Sequence, residues 1–221
     1  MMSLDIFYLS EKLLCLVDSE GNVPNVNTES IQNCVREAEM IAKRMLGCTL
    51  KIREQSFILA SVELYYGGIG DFAHDWYRAK FPHKVKHNKV SKALSDIQNE
   101  EGLRIYLNQK GNGKFKRMDL VIGPKNTAIT LLVRNVMLET GEMLGPLKGA
   151  PNIVLKKMGI LDFDHGRKIN FEDDLKFFDI HDAYVKDYHI VSKKRVIGGK
   201  DVGFSDDRFG QCEWNFTLVR K

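Results

Sequence analysis

Long apolar runs are missing from this 221-residue chain, and no stretch approaches the length needed to cross a bilayer. The first residues, MMSLDIFYLSEKLLCLVD, carry acids early and no cationic segment ahead of the apolar ones, which is not the pattern of a secretory signal. Cysteine is sparse. The four present (15, 34, 48 and 212) are scattered without a C-x-x-C pair, so neither a zinc site nor a disulfide framework is indicated. A reducing cytoplasm suits such a chain best. Proline occurs five times, and no repeat, low-complexity tract or linker divides the sequence. The expectation is a soluble cytoplasmic protein, with no membrane among its partners.

Net charge is only +4, but acids are absent from two long stretches. Ala79–Leu94 carries five lysines and two histidines, and Arg104–Met118 carries five more basic residues. Leu161–Asp187 is the counterweight, with eight acids against four bases. Positive charge clustered on a balanced protein points to a phosphate-facing side, although two solvated basic surfaces would look the same.

Apolar spacing predicts a short helix over Leu4–Val17, and loop chemistry follows at Asp18–Thr28. Residues 1–29 then read as an N-terminal helical extension to a domain covering 30–221. Thr28 is the expected N-cap of a second helix that stops at Gly47. Cys48–Ile52 and Ser56–Glu63 read as strands. Leu103–Leu107 and Phe115–Ile122 form a hairpin around the GNG at 111–113, and Ala128–Val136 is a buried strand. Asn152–Met158 is a helix, and Arg195–Val202 and Glu213–Val219 are closing strands. The expected fold is one mixed α/β domain, a largely antiparallel curved sheet flanked by helices.

The stretch that carries chemistry is SVELYYGGIGDFAHDWYR at 61–78. Glu63 ends an apolar strand, where a carboxylate is held rigidly and partly desolvated, as acid–base work requires. Tyr65, Tyr66 and His74 offer flat surfaces for a planar base, and a strand end with core aromatics is the plainer alternative. Arg134 lies inside an apolar strand, where an unpaired guanidinium is costly, so it needs Glu63 or Asp119 as partner. His165, His181 and His189 lack regular ligand spacing and read as surface loops rather than a metal cluster.

In the order of these motifs the chain resembles the alkyladenine (3-methyladenine) DNA glycosylase family. AKRMLG at 42–47 is similar to the family's A-x-x-L-G helix end. VELYYGGIGDFAH at 62–74 resembles E-A-Y-x-G-x-x-D-x-A-x-H, with the first Glu and last His at the same separation. GLRIYL (102–107), TAITLLVR (127–134) and GAPNIVLKKMGI (149–160) resemble later family segments, and RVIGG (195–199) and EWNFTL (213–218) do so faintly. The resemblance implies a monomeric, cofactor-free and metal-free enzyme. It would flip a damaged or modified base out of double-stranded DNA and hydrolyse its N-glycosidic bond.

By resemblance Glu63 activates water and Arg134 fixes it, while Tyr65, His74 and Tyr106 hold the flipped base. Asp119 stands where the family has a pocket asparagine, and a carboxylate there should alter which base is admitted. Lys80, Lys84, Lys86, Lys89, Lys110 and Lys114 would meet phosphates. Gln109 or Asn112 stands nearest the place of the family's duplex-wedging tyrosine. A silent nucleic-acid-binding module on the same fold is the alternative.

Overall fold

A computed structural model describes residues 13–84, 91–109, 115–146, 151–169, 175–178, 185–195, 209 and 212–221. Helix α1 (Glu29–Met45) forms because Ile31, Cys34, Ala38, Ala42 and Met45 recur every three to four residues and bury one stripe. It starts after an extended Thr28 and ends before Gly47, whose φ of +83° lies in the left-handed region. The strands β1 (Thr49–Ile52) and β2 (Gln55–Tyr66) pair as a hairpin. After them come α2 (Asp75–Lys80), α3 (Lys92–Ser95), β3 (Arg104–Gln109), β4 (Phe115–Val121) and β5 (Ile129–Met137). The chain continues through α4 (Pro151–Lys157), β6 (Leu175–Phe178), β7 (Tyr188–Lys193) and β8 (Asn215–Arg220).

The eight strands make one sheet in the order β3-β4-β5-β2-β1-β6, and β8, paired with β7, joins at β2. Every pairing among these strands is antiparallel. Strand β2 is the spine. Along one edge it pairs with β5; along the other it meets β1 through its first residues and β8 through Ser61–Glu63. Side chains alternate between faces, and the alternation divides the sheet chemically. Val62, Leu64, Tyr66, Ile105, Leu107, Met118, Leu120, Leu131, Val133, Phe216 and Leu218 enter one core, which the buried sides of α1 and α4 complete. The opposite face carries Glu63, Tyr65, Tyr106, Arg117, Asp119, Thr130 and Arg134.

The expected antiparallel α/β sheet with flanking helices is present, and several boundaries differ. Strand β2 runs three residues past Glu63, so the carboxylate sits inside the strand rather than at its exit. Residues 13–17 are not helical: the Leu16 N–H donates to the Gly68 carbonyl at 2.7 Å, and Leu13 joins the main core. What is described of the extension is thus a strap laid on the domain; residues 4–12 of the expected helix lie outside the described residues. Strand β7 at Tyr188–Lys193 was not expected; Arg195 is irregular, and residues 196–202 of the expected closing strand lie outside the described residues. Among the described residues no helix is long and apolar enough to cross a membrane.

Candidate active site on the polar sheet face

Register places five residues in one row across the polar face: Tyr106 opposite Asp119, Asp119 opposite Leu132, Leu132 opposite Glu63, and Glu63 opposite Asn215. Residues directly opposite in a ladder point to the same face, so this row is a consequence of pairing alone. Leu132 is an apolar seat between two carboxylates.

Glu63 is completely buried, and both of its oxygens are engaged. Arg134 Nη1 donates to Oε2 at 2.7 Å, and the Tyr65 hydroxyl donates to Oε1 at 2.5 Å. The Glu63 partner thus satisfies the demand that a guanidinium in an apolar strand creates. Burial, and then the neighbouring Glu63 charge, hold the Tyr65 phenol well above its usual range. Arg134 also opens on a cleft of about 950 Å³ between the end of β5 and the paired strands β7 and β8. Ser61, Asn215 and Thr217 line it with Lys193, Lys194 and Arg220, opposed by Glu139 and Asp187.

Beyond Tyr66 the chain turns through a one-turn helix at Gly67–Ile69. Gly68 must be glycine, because a Cβ there would stand 2.3 Å from the Thr127 carbonyl oxygen. Asp71 fixes the turn: its carboxylate accepts the N–H groups of Tyr66 and Ala73, each at 3.0 Å. It also accepts two bonds from Arg195, at 2.6 and 3.1 Å. The Arg195 guanidinium lies 4.8 Å from the Tyr65 ring centre and 4.9 Å from that of Trp214.

His74 caps α2, accepting the Trp76 N–H on Nδ1 at 3.2 Å, while Nε2 faces Thr130 Oγ1 at 3.4 Å. Burial pushes its imidazole down to about 4, against the opposing pull of Asp71 and Asp75. The folded ring is therefore neutral where an unfolded one, titrating at 6.5, would charge. Stability present above the unfolded value is lost as pH falls towards the folded one. The expected cost of acidifying to about pH 4 is roughly 3 kcal/mol from this residue. Asparagine can also cap a helix start, so His74→Asn should lose less stability than wild type between pH 7.5 and 4.5 in urea titrations. Equal losses would remove His74 as the cause.

Asp75 collects donors over the same face: the Tyr106 hydroxyl at 3.0 Å, the Asn108 amide, and Arg117 and Arg78 at 3.6 and 3.5 Å. Arg117 stands 5.9 Å from the Tyr65 ring centre, and its Nε is 4.0 Å from Asp119 Oδ1. Asp119 is buried, and burial raises its carboxyl to about 7, with Arg117 opposing and Asp75 and Glu63 adding to the rise.

The structure thus assembles Glu63, Arg134, Tyr65, Tyr106 and Asp119 on one face, with His74 reaching it through Thr130. Sequence reasoning missed Asp71, Asp75, Asn108 and Arg195, and counted Arg117 only as part of a basic stretch. The signal for Arg117 was in the strand alternation, which puts it on the face of Asp119 two residues on.

The expected phosphate contacts are less convergent. Lys80 rests 4.6 Å from the Trp76 ring centre, and Lys84 donates to Asn22 at 2.7 Å, both on the surface. Gln109 ends β3 opposite Phe115. Lys86, Lys89, Lys110, Asn112 and Lys114 lie outside the described residues. His165 is not a free surface loop: its Nδ1 accepts the Leu107 N–H at 3.0 Å, and its ring packs 5.5 Å from that of Tyr106. Among the described residues no cluster of three or more His, Cys, Asp or Glu side chains is arranged to hold a metal ion. Compared with models of known protein families and with curated proteins, the chain matches none.

Proposed function

We propose that this protein is a monofunctional DNA glycosylase. It draws a damaged or modified base out of duplex DNA and hydrolyses the N-glycosidic bond, leaving an abasic site for base-excision repair. The observation that carries this reading is the Glu63 carboxylate, buried in the sheet and clamped by Arg134 and Tyr65. Glycosidic cleavage builds positive charge on the sugar, and a fixed carboxylate in a water-poor site stabilises that charge and takes a proton from the attacking water. A positioning guanidinium and phenol keep its orientation constant during the reaction.

Tyr65 and Tyr106 supply rings for the extruded base. Stacking is worth about 1–3 kcal/mol per base, and extrusion costs a few, so two rings offset it. Lys193, Lys194 and Arg220, in the cleft that Arg134 enters, suit the phosphate backbone, whose contacts set affinity rather than sequence preference.

One observation favours a second reading, a silent DNA-binding module: Glu63 is wholly buried and each of its oxygens already accepts a side-chain donor, so water has little access to it. The two readings separate in one experiment. Duplex oligonucleotides, each carrying one modified base, are incubated with the protein and treated with alkali. Strand scission at the modified position is the expected result. Binding without scission for every base would leave the module.

A further inference from the structure

The row across the polar face does not stop at Asn215. Register continues it to Lys193 on β7, so it runs from the buried Tyr106 and Asp119 out to an exposed lysine. Its two ends differ in kind. Tyr106, Asp119 and Glu63 are enclosed by their neighbours, whereas Asn215 and Lys193 line the cleft together with Arg134. Room for a reactant that comes to Glu63 lies on the cleft side.

Size and charge restrict what the cleft takes. A compact space of about 950 Å³ is about 12 Å across, the width of the major groove of B-DNA alone, so a whole duplex does not fit. Strands β7 and β8 set its length. Lys193, opposite Asn215, stands at one end of that wall, and Arg220, opposite Tyr188, at the other. The ends are roughly 17 Å apart at strand spacing, and spread over that length the same volume is narrower still. The lining residues that β7 and β8 place between them, Val191, Thr217, Leu218 and Val219, are all uncharged. Cations held apart on an uncharged wall match phosphates that are themselves spaced, with sugars and bases between, rather than one compact anion. Glu139 and Asp187 also face the cleft and hold binding below what the cations alone would give.

We propose that the cleft holds one unpaired strand of DNA along β8, about four nucleotides of it. The inference rests on the glycosylase reading for its ligand, and it narrows the substrate: a lesion in single-stranded DNA is preferred to the same lesion in duplex. The strand enters lengthwise, so a duplex has to open over several nucleotides before the damaged one lies beside Arg134. Each base-pair step opened costs about tenfold in binding, a cost that single-stranded DNA does not carry.

The test is a binding titration with an unmodified oligothymidylate, alone and annealed to oligodeoxyadenylate, which involves no chemistry. The single strand should bind at least about 10-fold tighter than the duplex. Lys193→Ala and Arg220→Ala, both at exposed positions, should each weaken binding and each take about 0.7 from the slope of log K against log salt. Lys156→Ala, on α4 outside the cleft, should change neither. Tighter duplex binding, or equal losses at Lys193, Arg220 and Lys156, would overturn the assignment. So would thymidine monophosphate competing as well as the oligonucleotide, the behaviour of a mononucleotide site, or oligouridylate outcompeting it, the behaviour of an RNA site. Excision is read separately, from one lesion placed in single-stranded and in duplex DNA, and should be faster from the single strand. Excision confined to duplex, with no single-strand preference in binding, would end this inference and keep the glycosylase reading. Single-strand binding without excision of any base would keep the cleft's ligand and end that reading.

Discussion

Excision by Glu63→Gln is expected to fall at least about 10³-fold below wild type, while duplex binding changes little. Glutamine keeps the shape: its amide oxygen can accept from Arg134 while its NH2 donates to the Tyr65 hydroxyl oxygen, so the clamp survives with weaker bonds. It loses the two properties the proposed reaction needs: basicity towards water, and negative charge beside the cationic sugar. General-base loss alone is worth about 10²–10⁴, and removing one electrostatic stabiliser about 10²–10³. The folded state should lose only roughly 1–2 kcal/mol, because the Arg134 guanidinium keeps an amide acceptor and already opens on the cleft, where it can hydrate. Single-turnover kinetics with a saturating duplex, alongside a binding titration, separate the two effects. Near-wild-type excision would remove Glu63 from the chemistry, and a matching loss of binding would make its role structural.

Glu63 and Arg134 were legible in the sequence for one reason. Each is a lone charge in a run of strand-forming apolar residues, and such a charge demands a partner. The same alternation made β3, β4 and β5 readable, since Ile105, Leu107, Met118, Leu120, Leu131 and Val133 fall on every second position. What escaped lacked a local period. Helix α2 has six residues, fewer than two turns, so apolar spacing could not announce it. Strand β6 is four residues long, lies in the acidic segment, and is specified by its pairing with β1. Asp75 carried no linear signal, because most of its donors come from β3 and β4. The row joining Asp119 to Glu63 is a register between strands, which a linear reading approaches only through the alternation of each strand separately.

Arg195 is the extreme case, 124 residues from its partner Asp71, and its removal should be the largest blow to the fold. Both side chains are fully buried. The guanidinium also donates to the carbonyls of Leu64 and Phe209, each at 3.3 Å, so it ties β2, the turn after it and the segment before β8. Arg195→Met keeps much of the volume between Tyr65 and Trp214 but strands the Asp71 carboxylate without its cation. Breaking a buried pair on one side costs about 3–5 kcal/mol, which for a chain of this size lowers Tm by on the order of 10 °C. Asp71→Asn in the same chain should return part of that loss, since the amide removes the stranded charge while its oxygen still accepts a loop N–H. Excision should fall as well, because Tyr65 loses the flat cation at its ring and Asp71 holds the turn leading to His74. Urea unfolding of the two single variants and the double closes the cycle. Strictly additive losses would mean that Arg195 and Asp71 act independently, and that the aromatic contacts of Arg195, rather than its ion pair, anchor this corner of the sheet.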